Sequence, residues 1–231
     1  MCGIASYVGS RPAAPIVLEG LTRLEYRGYD SAGISVLDGE HLSTIKRAGR
    51  VHTVVDAVAA HPLPGTRALG HTRWATHGRP TDRNAHPHVS EDGRLTLVHN
   101  GIIENHAALR ARLRAEGHTF ASETDSEVLV HLIASHFAGD LQAAVRRALL
   151  EVEGAWALVV AHADVDGLVV ARQTSPLVLG AADGERFAAS DVQALLPYTR
   201  RVAFLEDGDV AFLHADGVRI EGPEGGERVV A

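Results

Sequence analysis

At Gly154 the sequence changes period, and that change constrains the fold more than any other feature of the chain. Before it, helical patterns follow one another over about 104–116, 125–137 and 140–152, with apolar residues returning every three or four positions. After it come short β-rich runs: Trp156 to Ala161, Leu168 to Arg172, Leu177 to Leu179, Val202 to Leu205, Val210 to Leu213 and Val218 to Ile220. Several are joined by Asp-Gly turns. A doubly wound parallel fold would alternate strand and helix along its whole length. Strands, then helices, then strands again predict an α+β layered sandwich.

The first hundred residues supply the earlier strands. After a short apolar opening, Pro15 starts a helical run in which Ile16, Val17, Gly20, Leu21 and Leu24 share a face. Gly33-Ile34-Ser35-Val36-Leu37, the turn signal Asp38-Gly39, and Leu42 to Lys46 predict a hairpin, and Val51 to Ala60 a short helix. From Thr66 to Pro87 glycine, histidine, arginine, proline and asparagine crowd together with little periodicity, which predicts a loop rich in chemistry. Leu95-Thr96-Leu97-Val98 reads as a strand running into His99-Asn100-Gly101. The middle helix of the central three starts at the capping box Thr124-Asp125-Ser126-Glu127 or at neighbouring Ser122. In 231 residues there is no repeat and no low-complexity linker, so one domain over 2–231 with one large core is expected.

Charge and composition exclude several classes of partner. A formal charge of -7 and the lack of any Lys/Arg block argue against nucleic acid. Lys46, the one lysine, carries no functional signal. No apolar run approaches the roughly 18 residues that span a bilayer. The opening Met1-Cys2-Gly3-Ile4-Ala5-Ser6 lacks a charged segment followed by an apolar one, which predicts no membrane association and a cytoplasmic protein. Fourteen histidines invite a metal, especially His86 and His88, which an extended segment projects to one side, with His71, His77 and His99 nearby. No zinc-type spacing and no cysteine pair accompanies them, so neither a metal nor a cofactor is expected.

Cys2 is the single cysteine, which rules out an internal disulfide. Read alone, a lone cysteine near the start is first of all a small buried hydrophobe. Its address opens another reading. Cysteine is the strongest side-chain nucleophile near neutral pH but needs a base, and a first-residue cysteine carries one in its own α-amine, with an ordinary pKa of about 7.7–8.0. That reading requires loss of Met1, which the small residue behind it permits.

Other residues offer binding chemistry. Arg73, beside Trp74, has the planar fork that grips a carboxylate, as an amino-acid substrate would need, although a loop arginine is commonly a solvated charge. Asp125 suits an α-ammonium, although on spacing alone a helix cap is its first reading. Asn100-Gly101 can aim a side-chain amide and a main-chain N–H at a developing oxyanion, or can form a tight turn.

Taken in order, Met1-Cys2-Gly3-Ile4, Leu24-Glu25-Tyr26-Arg27-Gly28-Tyr29-Asp30-Ser31-Ala32-Gly33, His71 to Gly78, Asn84 to His88, His99 to Asn105 and Ser122 to Asp125 resemble the class II glutamine amidotransferases. Within them the chain is most similar to the glutaminase domain of the glutamine:fructose-6-phosphate aminotransferase family, along essentially its whole length. The resemblance implies a four-layer α/β/β/α sandwich of the amino-terminal-nucleophile (Ntn) hydrolase type. It implies Cys2 as nucleophile with its freed amine as base, and Asn100 and Gly101 as the oxyanion hole. Arg73 would hold the carboxylate of L-glutamine and Asp125 its ammonium, with Thr76, His77 and His86 completing the pocket, Trp74 as gate and Arg27 as support. The family's sugar-isomerase domain, which receives the ammonia for fructose 6-phosphate in a homodimeric parent enzyme, has no counterpart in these residues.

Two rivals remain at this point. A related amidotransferase or free-standing glutaminase would serve another ammonia acceptor, and a non-catalytic module would sense glutamine through Arg73 and Asp125. A metal hydrolase would instead be sensitive to chelators.

Overall fold

A computed structural model describes residues 2–75 and 78–229. Thr76 and His77, both expected in the pocket, lie outside the described residues. Fourteen strands are described: β1 (Gly3–Val8), β2 (Ser31–Asp38), β3 (His41–Ala48), β4 (Arg67–Arg73), β5 (His88–Val89), β6 (Leu95–Ile103), β7 (Gly154–His162), β8 (Leu168–Gln173), β9 (Val178–Ala182), β10 (Glu185–Ala189), β11 (Val202–Phe204), β12 (Val210–His214), β13 (Gly217–Glu221) and β14 (Glu227–Val229). The helices are α1 (Ala13–Arg23), α2 (Val51–Ala60), α3 (His106–Ala115), α4 (Glu127–His136) and α5 (Leu141–Leu149).

The strands form two antiparallel sheets, in the orders β11-β9-β10-β1-β4-β2-β3 and β14-β13-β12-β8-β7-β6-β5. Three apolar clusters mark three interfaces between layers. Ala5, Tyr7, Ala32, Ile34 and Val36 of the first sheet pack with Val17, Leu21 and Val54 of α1 and α2. Ile4, Val8 and Leu69 meet Val98, Val159 and Val170 between the sheets. Leu97, Leu158 and Val160 pack outward on Leu113, Leu129, Ile133 and Val145 of the other three helices. The layers are therefore α/β/β/α, as expected.

Alternation sorts each central strand between two cores. In β1, Ile4 and Val8 face the opposite sheet while Ala5 and Tyr7 face the helices; in β7, Ala157, Val159 and Ala161 face inward while Trp156, Leu158 and Val160 face out. Both faces are apolar, so such strands read as continuous apolar runs without a polar phase. That is why β1 looked only like an apolar opening, and why β10 gave no signal.

The chemistry-rich stretch after Thr66 is a correction. Its first half is β4, a fully buried strand hydrogen-bonded between β1 and β2, because Ala68 and Leu69 are buried on opposite faces and its polar end serves the site described below. Two boundaries also shift: α1 begins at Ala13, ahead of Pro15, and the hairpin closes through Gly39-Glu40 with Asp38 opposite His41.

Leu69 has no exposed surface and lies between the sheets. Leu69→Ala leaves a cavity there and should lower unfolding free energy by about 2–5 kcal/mol, measured by denaturant titration. A change under about 1 kcal/mol would contradict the packing described.

Candidate active site

One end of the sandwich collects the polar residues. Antiparallel pairing of β1 with β4 sets Gly3 opposite Thr72, so Cys2 sits beside the end of β4, where Arg73 and Trp74 follow. The partly buried Cys2 Sγ accepts from the Trp74 N–H at 3.2 Å and contacts the Trp74 carbonyl at 3.6 Å. Among the described residues no histidine ring hydrogen-bonds the sulfur. Burial pushes the Cys2 thiol pKa up, against smaller lowering effects from the Trp74 main chain, Arg73 and Arg27. The group is thus a thiol at neutral pH and needs a base to react.

The Cys2 carbonyl is gripped from two sides. Arg27 Nε donates to it at 3.1 Å, and Asn100 Nδ2, from β6 of the other sheet, at 3.0 Å. Arg27 is steadied by Asp191 at 3.4 Å, and Asp191 also accepts from Tyr26 Oη at 2.8 Å. Gly28 lies against the Arg73–Trp74 peptide: a Cβ there would sit 2.6 Å from the Arg73 carbonyl carbon. Only glycine lets the two main chains approach so closely.

Asn100 and Gly101 do not form a tight turn. They lie inside β6, paired with Ala157 and Trp156. Gly101 has φ +136, and a Cβ on it would come 1.9 Å from the Ala155 oxygen, so glycine is required for β6 to keep its pairing with β7. In the strand, the side chains of His99 and Asn100 point to opposite faces: His99 Nδ1 meets Ser126 Oγ at 2.8 Å at the start of α4, while Asn100 reaches Cys2.

Asp125 is not a helix cap either. Its Oδ2 accepts from the Ile103 N–H at 2.9 Å, and the residue at the cap position, Ser126, makes no capping bond. The expected Thr124–Glu127 box is replaced by Glu127, which accepts from the N–H groups of Ala121 and Ser122 and from Ser122 Oγ. The Asp125 side chain is thereby free of helix capping and lines a small cavity with Cys2, Arg73, His86 and Gly101. A second, more open cleft that also borders Cys2 is lined by Arg27, Trp74, Asn100, Ile102 and Pro176. Trp74 is 46% exposed and meets Tyr29 edge-on at 5.5 Å.

Sequence reasoning missed several of the supports. Asp30 Oδ2 accepts from the Ala75 N–H at 2.8 Å, bracing the chain after Trp74. Lys46, read as carrying no signal, donates to the carbonyls of Ala85 and Pro87 at 2.8 and 3.1 Å and so holds the His86 segment; burial lowers its pKa to about 8. His88 Nε2 meets Thr124 Oγ1 at 3.0 Å, and His71 stacks on His86 at 4.2 Å. Burial first, and mutual repulsion second, holds His86 well below the ordinary histidine pKa. The one clue in the sequence was the density of histidines, which stand here as neutral struts between β4, the loop over 84–88 and the segment over 122–126.

A partly buried thiol thus stands at a cavity that also offers a guanidinium and a carboxylate. A family model described as a glutamine amidotransferase domain matches residues 55–214, well over half of the chain. The chain belongs to the glutamine amidotransferase domain family. It is 58% identical over 225 residues to a glutamine–fructose-6-phosphate aminotransferase (isomerizing) of Thermus thermophilus, covering 97% of this chain and 37% of that protein. The enzyme of the same name from Symbiobacterium thermophilum is 52% identical, covering 95% of this chain and 36% of that protein. The chain thus spans little more than a third of the length of these curated relatives. Glutamine phosphoribosylpyrophosphate amidotransferase from B. subtilis superposes with a TM-score of 0.82 at 28% identity, covering 96% of this chain and 49% of that one. The family's four-layer sandwich is of the Ntn hydrolase type, and the α+β expectation agrees with it. No helix among the described residues is long and apolar enough to cross a membrane.

Glu127 ties the loop that carries Asp125 to α4. Its burial would raise the carboxyl pKa, but contact with His131 and hydrogen bonds from Ser122 and Ala121 outweigh this and hold it at about 2, against an ordinary 4.5. A depressed carboxyl pKa stabilises the fold fully above its unfolded value and loses that stabilisation as pH falls toward the folded one. Stability measured by urea unfolding should therefore drop between about pH 4.5 and pH 2, and Glu127→Gln should flatten that drop. An unchanged slope in the variant would refute the assignment.

Proposed function

We propose that residues 2–231 are one glutaminase domain, which hydrolyses L-glutamine to glutamate and ammonia through a thioester on Cys2. The observation that carries this reading is the single cavity bordered by a thiol, a guanidinium and a carboxylate: Cys2, Arg73 and Asp125. Those three groups match the side-chain amide, the α-carboxylate and the α-ammonium of glutamine. Arg73 takes the carboxylate with its fork, Asp125 pairs with the ammonium, and His86 forms the wall between them. Thr76 and His77 complete the carboxylate end on the strength of the family resemblance alone.

In this reading Met1 is removed and the α-amine of Cys2 takes the thiol proton. The sulfur attacks the amide carbon, and the C=O electron pair moves onto oxygen, where the second N–H of Asn100 Nδ2 and the main-chain N–H of Gly101 receive it. The intermediate collapses as the C–N bond breaks, and the ammonium returns its proton to the leaving ammonia. Water, deprotonated by the same amine, then attacks the thioester; the sulfur leaves and glutamate is released. The raised thiol pKa and the lack of a histidine contact to Sγ among the described residues support the amine as base. Arg27 supports the closed site by holding the Cys2 main chain, and Trp74, exposed beside Tyr29, acts as the gate.

The names of the relatives support a reading of the ammonia acceptor. Their names describe an isomerizing aminotransferase that acts on fructose 6-phosphate. We assign the chain to that role: the ammonia-supplying domain for a sugar-isomerase partner that makes glucosamine 6-phosphate in the cytoplasm, in a homodimeric enzyme.

Cys2→Ala should abolish ammonia release while calorimetry still detects glutamine binding. Turnover surviving in that variant would end the nucleophile assignment. Asp125→Asn should raise KM for glutamine about 10- to 100-fold, the loss expected of one charged hydrogen-bonded contact, with a smaller effect on kcat. An unchanged KM would remove Asp125 from the pocket's binding role.

A further inference from the structure

We propose that His71 is a positioning residue for the oxyanion donor, holding the Asn100 side chain with its carbonyl end turned into the protein and its N–H end turned toward Cys2. The proposal rests on the reading of Asn100 as an oxyanion donor given above. His71 Nε2 lies 3.0 Å from Asn100 Oδ1 and 3.1 Å from the His99 carbonyl oxygen. The carbonyl oxygen can only accept, so the hydrogen on His71 is on Nε2 and points at both oxygens.

The orientation of Asn100 then has a single consistent solution. Turned the other way, its amide nitrogen would bring its hydrogens against the Nε2 hydrogen of His71, and Oδ1 would face the Cys2 carbonyl, acceptor against acceptor. As it stands, Nδ2 donates one hydrogen to the Cys2 carbonyl at 3.0 Å and keeps the other for the cleft. Asparagine alone rotates easily between the two orientations; the histidine removes that freedom, and with it an entropic cost in the transition state.

The ring is built to stay in this form. His71 has no exposed surface, stacks on His86 at 4.2 Å, and its Nδ1 is buried with no hydrogen-bond partner among the described residues. A proton added at Nδ1 would have no acceptor, and burial pushes the His71 pKa down to about 3. The ring is therefore neutral at working pH, with its one hydrogen committed to the two oxygens.

The test compares glutamine-dependent ammonia release by the wild type, His71→Leu, His71→Gln, Asn100→Ala and the double variant His71→Leu/Asn100→Ala. Alkylation of Cys2 by iodoacetamide, which uses no oxyanion hole, is followed in each. His71→Leu should lower kcat about 10- to 100-fold with KM and alkylation within about twofold of the wild type. His71→Gln, whose amide N–H can reach the same oxygens, should recover most of kcat. In the Asn100→Ala background the leucine should cost less than about twofold more, since the group it orients is gone. A His71→Leu enzyme with wild-type kcat beside an impaired Asn100→Ala enzyme overturns the positioning role and leaves the function standing, as does a full loss repeated in the double variant. If Asn100→Ala is itself fully active, the oxyanion reading falls, and this proposal with it. Nitrogen-resolved NMR of histidine-labelled wild-type protein needs no variant to fold: it should find His71 as the neutral Nε2–H tautomer from about pH 5 to pH 9, and the Nδ1–H tautomer or an imidazolium would overturn the proposal.

Discussion

The carbonyl oxygen of Cys2 accepts one hydrogen bond from each half of the sandwich, from Arg27 after α1 and from Asn100 in β6. Residues of both sheets converge near that oxygen. β1 delivers Cys2 to it, the β1–β4 register brings Trp74 alongside the sulfur, and β6 brings the amide of Asn100 across from the second sheet. Two sheets that share an apolar core elsewhere are joined here by polar contacts, and a one-residue slip of β1 would carry Cys2 to the wrong face of its sheet.

The pocket is held by neutral polar groups more than by ion pairs. His99 meets Ser126, His88 meets Thr124 and His71 stacks on His86, while the Lys46 ammonium holds the carbonyls on either side of His86 from outside the cavity lining. Such bonds in a dry interior are directional and cost little to bury once satisfied, whereas unpaired charges would be expensive. Arg73 and Asp125 are the two charged groups that face the inner cavity, complementary to a ligand that carries both signs.

Much of the candidate site was legible in the sequence, for a physical reason. The chemistry proposed for Cys2, Arg73 and Asn100-Gly101 needs particular side chains in particular stretches, and those stretches form long ordered motifs. The helices α3 and α5 were legible because one face of each is apolar and the other wet, whereas α4 is buried all round from Glu127 to Ile133. By contrast β1 and β4 are buried on both faces, so neither shows the alternation that marks a half-exposed strand. Asp125 looked like a cap because the residues near a helix start share one spacing whatever they bond to; only the fold reveals that the Ile103 N–H is its partner. Asn100-Gly101 looked like a turn for a similar reason: φ +136 at Gly101 demands glycine in a strand pressed against Ala155 just as a turn would. Lys46 and His71 act through distant main chain and through another side chain, and no local pattern encodes such contacts.

The central claim is that Cys2 supplies both the sulfur and the base, so that its amine must be free. The most direct measurement takes one preparation carrying a removable residue ahead of Cys2 and follows ammonia release from glutamine before and after that residue is cut away. The account predicts negligible release beforehand and full turnover afterwards, with the same folded spectrum in both states. Equal turnover with the residue still attached would contradict it.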